Sequence, residues 1–119
     1  MKLHIFEALA AYKKSRPARF HMPGHKANRR GFPLLKDAAL DVTELSFSDS
    51  LECPNGIIAS AQEDIAGILG AKYSYILTDG ATAGVYAMLY AVRRQGGKVA
   101  IARSSHKSVY NACALLGVE

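Results

Sequence analysis

The feature that most constrains the fold is an alternation of patterns running from Ser60 to Leu116. Ser60-Ala61-Gln62-Glu63 is a capping-box pattern, followed by Ala61, Ile65, Ile68 and Leu69 on one helical face and by Gly70 as a stop. Tyr73-Ser-Tyr-Ile-Leu-Thr78 is rich in strand formers and predicts a strand. Val85, Met88, Leu89 and Val92 then recur as the buried stripe of a second helix, which Gly96-Gly97 terminates. Lys98-Val-Ala-Ile-Ala102 predicts a second strand, and Val109, Ala112, Cys113 and Leu116 a third helix closed by Gly117, with Val118 opening a further strand. The order helix, strand, helix, strand, helix predicts an α/β fold with a parallel sheet. Parallel sheets need several strands covered on both faces, so two strands imply a sheet completed elsewhere.

Ahead of this region, Leu3, Phe6, Leu9 and Ala10 recur at helical spacing until Ser15-Arg16-Pro17 breaks the pattern, which predicts a short amphipathic helix. From Pro17 to Asn55 there is no sustained period, and the segment holds all four prolines. That is too long for an ordinary connection, so it is expected to be functional or to wrap a neighbour. The expected division is an N-terminal helix with an extended arm over residues 1–55 and an incomplete α/β domain over residues 56–119.

Composition narrows the classes. The chain has 119 residues, half of them hydrophobic, which is enough for a core. A net charge of +5 suits an acidic ligand or nucleic acid, but the basic residues come in short pairs such as Lys13-Lys14 and Arg93-Arg94, without aromatic interleaving. No nucleic-acid partner is expected. Cys53 and Cys113 form no CxxC pair, His4 and Glu7 interrupt any signal-like N-terminus, and no apolar run is long enough to span a bilayer. A cytoplasmic protein with reduced thiols is expected, with no membrane partner.

Three segments carry chemistry. Thr78-Asp79-Gly80-Ala81-Thr82-Ala83-Gly84 joins a predicted strand to a predicted helix, where free N–H groups and the helix dipole favour a phosphate. Thr82 adds a hydroxyl, and Gly80 and Gly84 permit tight turning; a plain capped turn is the alternative. The loop is neither a Walker loop nor a GxGxxG fingerprint. Arg103-Ser104-Ser105-His106-Lys107-Ser108 follows the second predicted strand, so both loops are expected at one sheet edge. His106 is a candidate for stacking on a ring or handling protons, against the alternative of a capping histidine; Ser104, Ser105 and Ser108 are candidate caps. The third segment, Phe20-His21-Met22-Pro23-Gly24-His25-Lys26, sets two imidazoles around a turn. No carboxylate or thiol cluster completes a metal site with His21 and His25, so no metal is assigned. Asp41, Glu44 and Asp49 are read as surface carboxylates, with acidity toward a basic substrate as the alternative.

HMPGHK (21–26), DVTEL (41–45) with Asp49-Ser50-Leu51, LTDGATAG (77–84) and SSHKSVYNA (104–112) occur in the order seen in the Orn/Lys/Arg decarboxylases. From about Arg19 onward the chain resembles that family. The resemblance implies the opening part of an aspartate-aminotransferase-like large domain that binds pyridoxal 5'-phosphate, a homodimer or larger homo-oligomer, and a carboxy-lyase acting on a small basic amino acid (ornithine, lysine or arginine) in polyamine biosynthesis. It places Gly80, Ala81, Thr82 and the amide of Ala83 at the cofactor phosphate and His106 on the pyridine ring as the catalytic candidate. It places His21, Gly24, His25 and Lys26 at an active-site entrance or subunit contact. Where Ala81 stands many relatives have Ser, which removes one hydroxyl donor.

The resemblance also implies that the lysine binding the cofactor covalently, and the aspartate paired with its ring nitrogen, lie downstream, so the 119 residues alone are expected to be inactive. Lys107 matches a different position. The short stretch before HMPGHK is like that of compact members without an N-terminal wing domain. Two alternatives stay open: a non-catalytic fragment that binds a partner chain, and a non-decarboxylating enzyme of the same fold and cofactor.

Overall fold

A computed structural model of the chain describes residues 2–28 and 30–119. It contains four helices: α1 (His4–Lys14), α2 (Ile57–Leu69), α3 (Gly80–Arg94) and α4 (Lys107–Leu116). They fall into two compact units, Met1–Ile76 and Leu77–Glu119.

In the first unit α1 packs against α2, and the His4 imidazole donates to the Asp64 carboxylate across them at 3.1 Å. The helix expected from Leu3, Phe6, Leu9 and Ala10 is α1, with Lys13 and Lys14 in the last turn where cations complement the dipole. α2 begins earlier than the Ser60 capping box suggests, at Ile57, and Ser60 lies inside it. It ends where expected, on Gly70 in the left-handed conformation at φ 64°. The irregular segment between α1 and α2 folds through successive turns. The buried Ser48 hydroxyl donates to the Thr43 carbonyl at 2.8 Å and accepts from the Leu45 N–H at 2.7 Å.

In the second unit α3 packs on α4. Ala112 is fully buried and Leu89 is 7% exposed, so the two predicted stripes supply the contact. Met88, predicted in the same stripe, is instead 63% exposed. Gly117 closes α4 in the left-handed conformation, as its position predicts.

The expected α/β fold is not what forms: among the described residues there are helices and no strand. Tyr73–Leu77 and Lys98–Ala102 have strand-like composition but no ladder. A strand exists only through paired N–H and C=O groups, and composition supplies none of them. The second segment makes one such bond, Val99 N–H to the Glu119 carbonyl at 2.8 Å, and Tyr73 and Tyr75 remain exposed. Without a sheet, the argument that placed two loops at one sheet edge also falls. The loops must be judged on the helices they open.

Candidate functional site

Gly80, Ala81, Thr82 and Ala83 form the first turn of α3. Gly80 sits at φ 72°, a left-handed conformation that glycine adopts without steric cost. An α-helix leaves its first four N–H groups without intrahelical partners. Asp79 precedes the helix but its side chain makes no capping hydrogen bond, so those amides are not used internally. Ala81 and Thr82 are exposed. Bare amides, the positive end of a helix dipole and an accessible hydroxyl form a donor set suited to a phosphate.

His106 immediately precedes α4 in the same unit, and it is an N-cap. Its Nδ1 accepts the Ser108 N–H at 3.3 Å and the Ser108 hydroxyl at 2.9 Å. The neutral ring therefore carries its proton on Nε2, which has no partner among the described residues. Of the serines predicted as caps, Ser108 takes part, but as the donor to His106. Tyr110 braces the approach to the helix by donating to the carbonyls of Ala102 at 2.9 Å and Arg103 at 3.0 Å.

His21, Gly24, His25 and Lys26 lie in the first unit, tied to α1 and to the turns that follow. Nδ1 of His21 faces the Met22 carbonyl, which can only accept. The proton thus sits on Nδ1, and Nε2 accepts the Tyr12 hydroxyl at 2.6 Å. His25 has the opposite tautomer: its Nδ1 accepts the Ala27 N–H at 3.0 Å and its Nε2 donates to Asp41 at 3.1 Å. Both nitrogens of both rings are engaged within the protein. Lys26 donates to the carbonyls of His21 and Phe20. A Cβ at Gly24 would meet nothing within 4 Å.

Sequence reasoning missed two residues that organise this unit. Tyr12 stacks on Phe47, with ring centroids 4.6 Å apart, and lies under the Arg19 guanidinium at 4.9 Å. Arg19 in turn donates to the Ala39 carbonyl at 2.6 Å. Asp49, read as a surface carboxylate, accepts the N–H groups of Ser50, Asn55, Gly56, Ile58 and Ala59. The N-cap position of α2 is Gly56, which has no side chain, and the Asp49 carboxylate takes the first-turn amides in its place. Hydrogen bonds to the ionised form, led by that from Asn55, hold its carboxyl far below the usual carboxylate range. The signal was present in Pro54-Asn55-Gly56, a turn able to fold the amides back onto an upstream carboxylate. Glu44 is also shifted downward, by its own backbone N–H and by the Thr43 hydroxyl at 3.0 Å.

Comparisons with known proteins find relatives along nearly the whole chain. The YaaO protein of Bacillus subtilis is 35% identical over the whole of this chain, which spans 26% of it. An arginine decarboxylase of Bacillus cereus is 30% identical over 97% of the chain. Another, from Halalkalibacterium halodurans, is 29% identical over 95%. The chain spans about a quarter of the length of the curated relatives it matches. No solved structure matches. The model of the major domain of the Orn/Lys/Arg decarboxylases covers residues 4–119, and the chain belongs to that family.

Proposed function

We propose that the protein of which these residues are part is a pyridoxal-phosphate-dependent carboxy-lyase for a basic amino acid. The observation that carries the reading is the family match over residues 4–119. Arginine is the first substrate to test, because several of the similar proteins are named arginine decarboxylases.

The residues fit the cofactor's phosphate. The amides of Ala81, Thr82 and Ala83 and the Thr82 hydroxyl would hold it at the uncapped start of α3, where the dipole adds to the attraction. With Ala81 in place of Ser, Thr82 is the one hydroxyl in that turn. His106 would lie against the ring and keep it from sliding; the bond from Ser108 to Nδ1 fixes the imidazole and leaves the proton on Nε2 for exchange with a bound group. When bound, pyridoxal phosphate supplies the electron sink that a departing carboxylate requires. For His21, Gly24, His25 and Lys26 the proposed place is an active-site entrance or a subunit contact, on which Tyr12 and Asp41 fix the two imidazoles. A homodimer or larger homo-oligomer in the cytoplasm is part of the same proposal.

The test uses the full-length polypeptide. Cofactor is titrated by absorbance, and CO₂ release is measured with arginine, lysine and ornithine. A spectral change with release from one of the three supports the reading. No spectral change together with no release from any of them overturns it.

A further inference from the structure

The first unit carries a cluster of cations of which the proposed function uses only Lys26, at the entrance or subunit contact. Lys13, Arg16, Arg19 and Lys26 line one cavity of about 290 Å³ with Pro17, Ala27 and Ala39. No carboxylate is among the lining residues, and none of the four cations forms an ion pair among the described residues. Four positive charges on one concavity repel one another unless an anion joins them.

Two of the four are already held in place. Arg19 is fixed by the Ala39 carbonyl and by the face of Tyr12, and Lys26 by the carbonyls of His21 and Phe20. Lys13 and Arg16 make no side-chain hydrogen bond among the described residues and are exposed. The backbone around the cavity is unusual as well: Arg16, Lys26 and Ala27 adopt φ of 50°, 49° and 59°. Left-handed backbone at three residues that are not glycine is a cost that surrounding structure must sustain, and such outliers concentrate at ligand sites.

We infer that this cavity binds a small polyphosphate anion. Guanidinium groups recognise phosphate oxygens through paired N–H donors, and the ammonium groups add charge without fixed direction. The volume suits a compact ligand rather than a polymer. A basic amino acid would be repelled from it, so the cavity is not fitted to the proposed substrate, and the inference stands whether or not the protein is a decarboxylase.

The experiment is calorimetric titration of the full-length protein, its α3 site first saturated with pyridoxal phosphate, with sodium pyrophosphate at low salt, repeated with Lys13→Gln, Arg16→Gly and Lys36→Gln. Arg16→Gly removes the charge and also relieves the left-handed backbone, so lost binding in that variant is not lost folding. Saturable binding is expected, weakened about tenfold by Lys13→Gln and by Arg16→Gly and changed less than about twofold by Lys36→Gln. The inference is overturned if pyrophosphate shows no saturable binding, or if Arg16→Gly binds like the parent protein. It is equally overturned if Lys36→Gln weakens binding as much as Arg16→Gly, which would mark a general charge effect.

Discussion

Oδ2 of Asp49 accepts the N–H of Ile58 at 3.0 Å, so a residue well upstream of α2 closes its first turn. The same oxygen takes the Gly56 N–H at 2.8 Å, while Oδ1 takes that of Asn55 at 3.0 Å. One carboxylate therefore does the work that a local serine or aspartate usually does, and it also pins the turn leading into the helix. Asp49 itself sits at φ 67°, a conformation that Asn and Asp tolerate better than alanine. Asp49→Ala is expected to lower the thermal midpoint by several degrees, and Asp49→Asn by less. Parallel melts followed by circular dichroism check this; equal midpoints for the parent and the alanine variant would contradict the capping role.

The depressed titration of Asp49 also sets a pH dependence. Its carboxylate is favoured by the fold, so this contribution is present above the ordinary value of 3.8 and fades as pH falls through the lower value of the folded state. Stability should hold to about pH 4 and decline in stronger acid. Asp49→Asn should flatten that acid limb, as read from urea midpoints between about pH 2 and pH 6.

The Tyr12 hydroxyl predicts a separable effect. Tyr12→Phe keeps the stacking on Phe47 and the contact with Arg19 but removes the donor to His21 Nε2. The expected cost is about 1 kcal/mol. Nitrogen NMR of the His21 ring should show the Nδ1-protonated tautomer in the parent protein and a shifted or mixed tautomer in the variant. The opposite tautomer in the parent protein would contradict the assignment.

Helices were legible in the chain because their information is local. Leu3, Phe6 and Leu9 marked α1, while Gly70 and Gly117 marked two stops, since one glycine at positive φ suffices to end a helix. The sheet was misread because Tyr73–Leu77 and Lys98–Ala102 carry the right side chains, but pairing depends on partners that composition does not specify. The sites divide in the same way. The donors Ala81, Thr82 and Ala83 follow from opening a helix, whereas the bonds from Tyr12 to His21 and from Ile58 to Asp49 join residues 9 apart in both cases and depend on how intervening turns fold.

The two glycines of the Thr78–Gly84 loop should respond differently to substitution. Gly80 is at φ 72°, so Gly80→Ala should cost about 1 kcal/mol and distort the proposed phosphate site. A Cβ on Gly84 would come 2.7 Å from Leu77 Cδ1, the far end of a flexible, half-exposed side chain that can move aside. Gly84→Ala also gains up to about 1 kcal/mol of helix propensity. It should melt at or above the parent midpoint and keep cofactor affinity, whereas Gly80→Ala should lose both stability and affinity.

His106 combines a capping role that the geometry supplies with a ring-contact role that the proposed function adds, and two substitutions separate them. Asparagine is a good N-cap but has no aromatic face, so His106→Asn should keep the parent stability within about 0.5 kcal/mol. His106→Ala removes the acceptor for the Ser108 N–H and should cost roughly 0.5–1 kcal/mol. In the full-length protein both variants should bind pyridoxal phosphate several-fold more weakly, because both lack the imidazole. If His106→Asn restored stability and affinity together, the ring would have no part in cofactor binding and His106 would be a cap alone. Restored stability with affinity still reduced would show that the same imidazole that starts α4 also holds the cofactor.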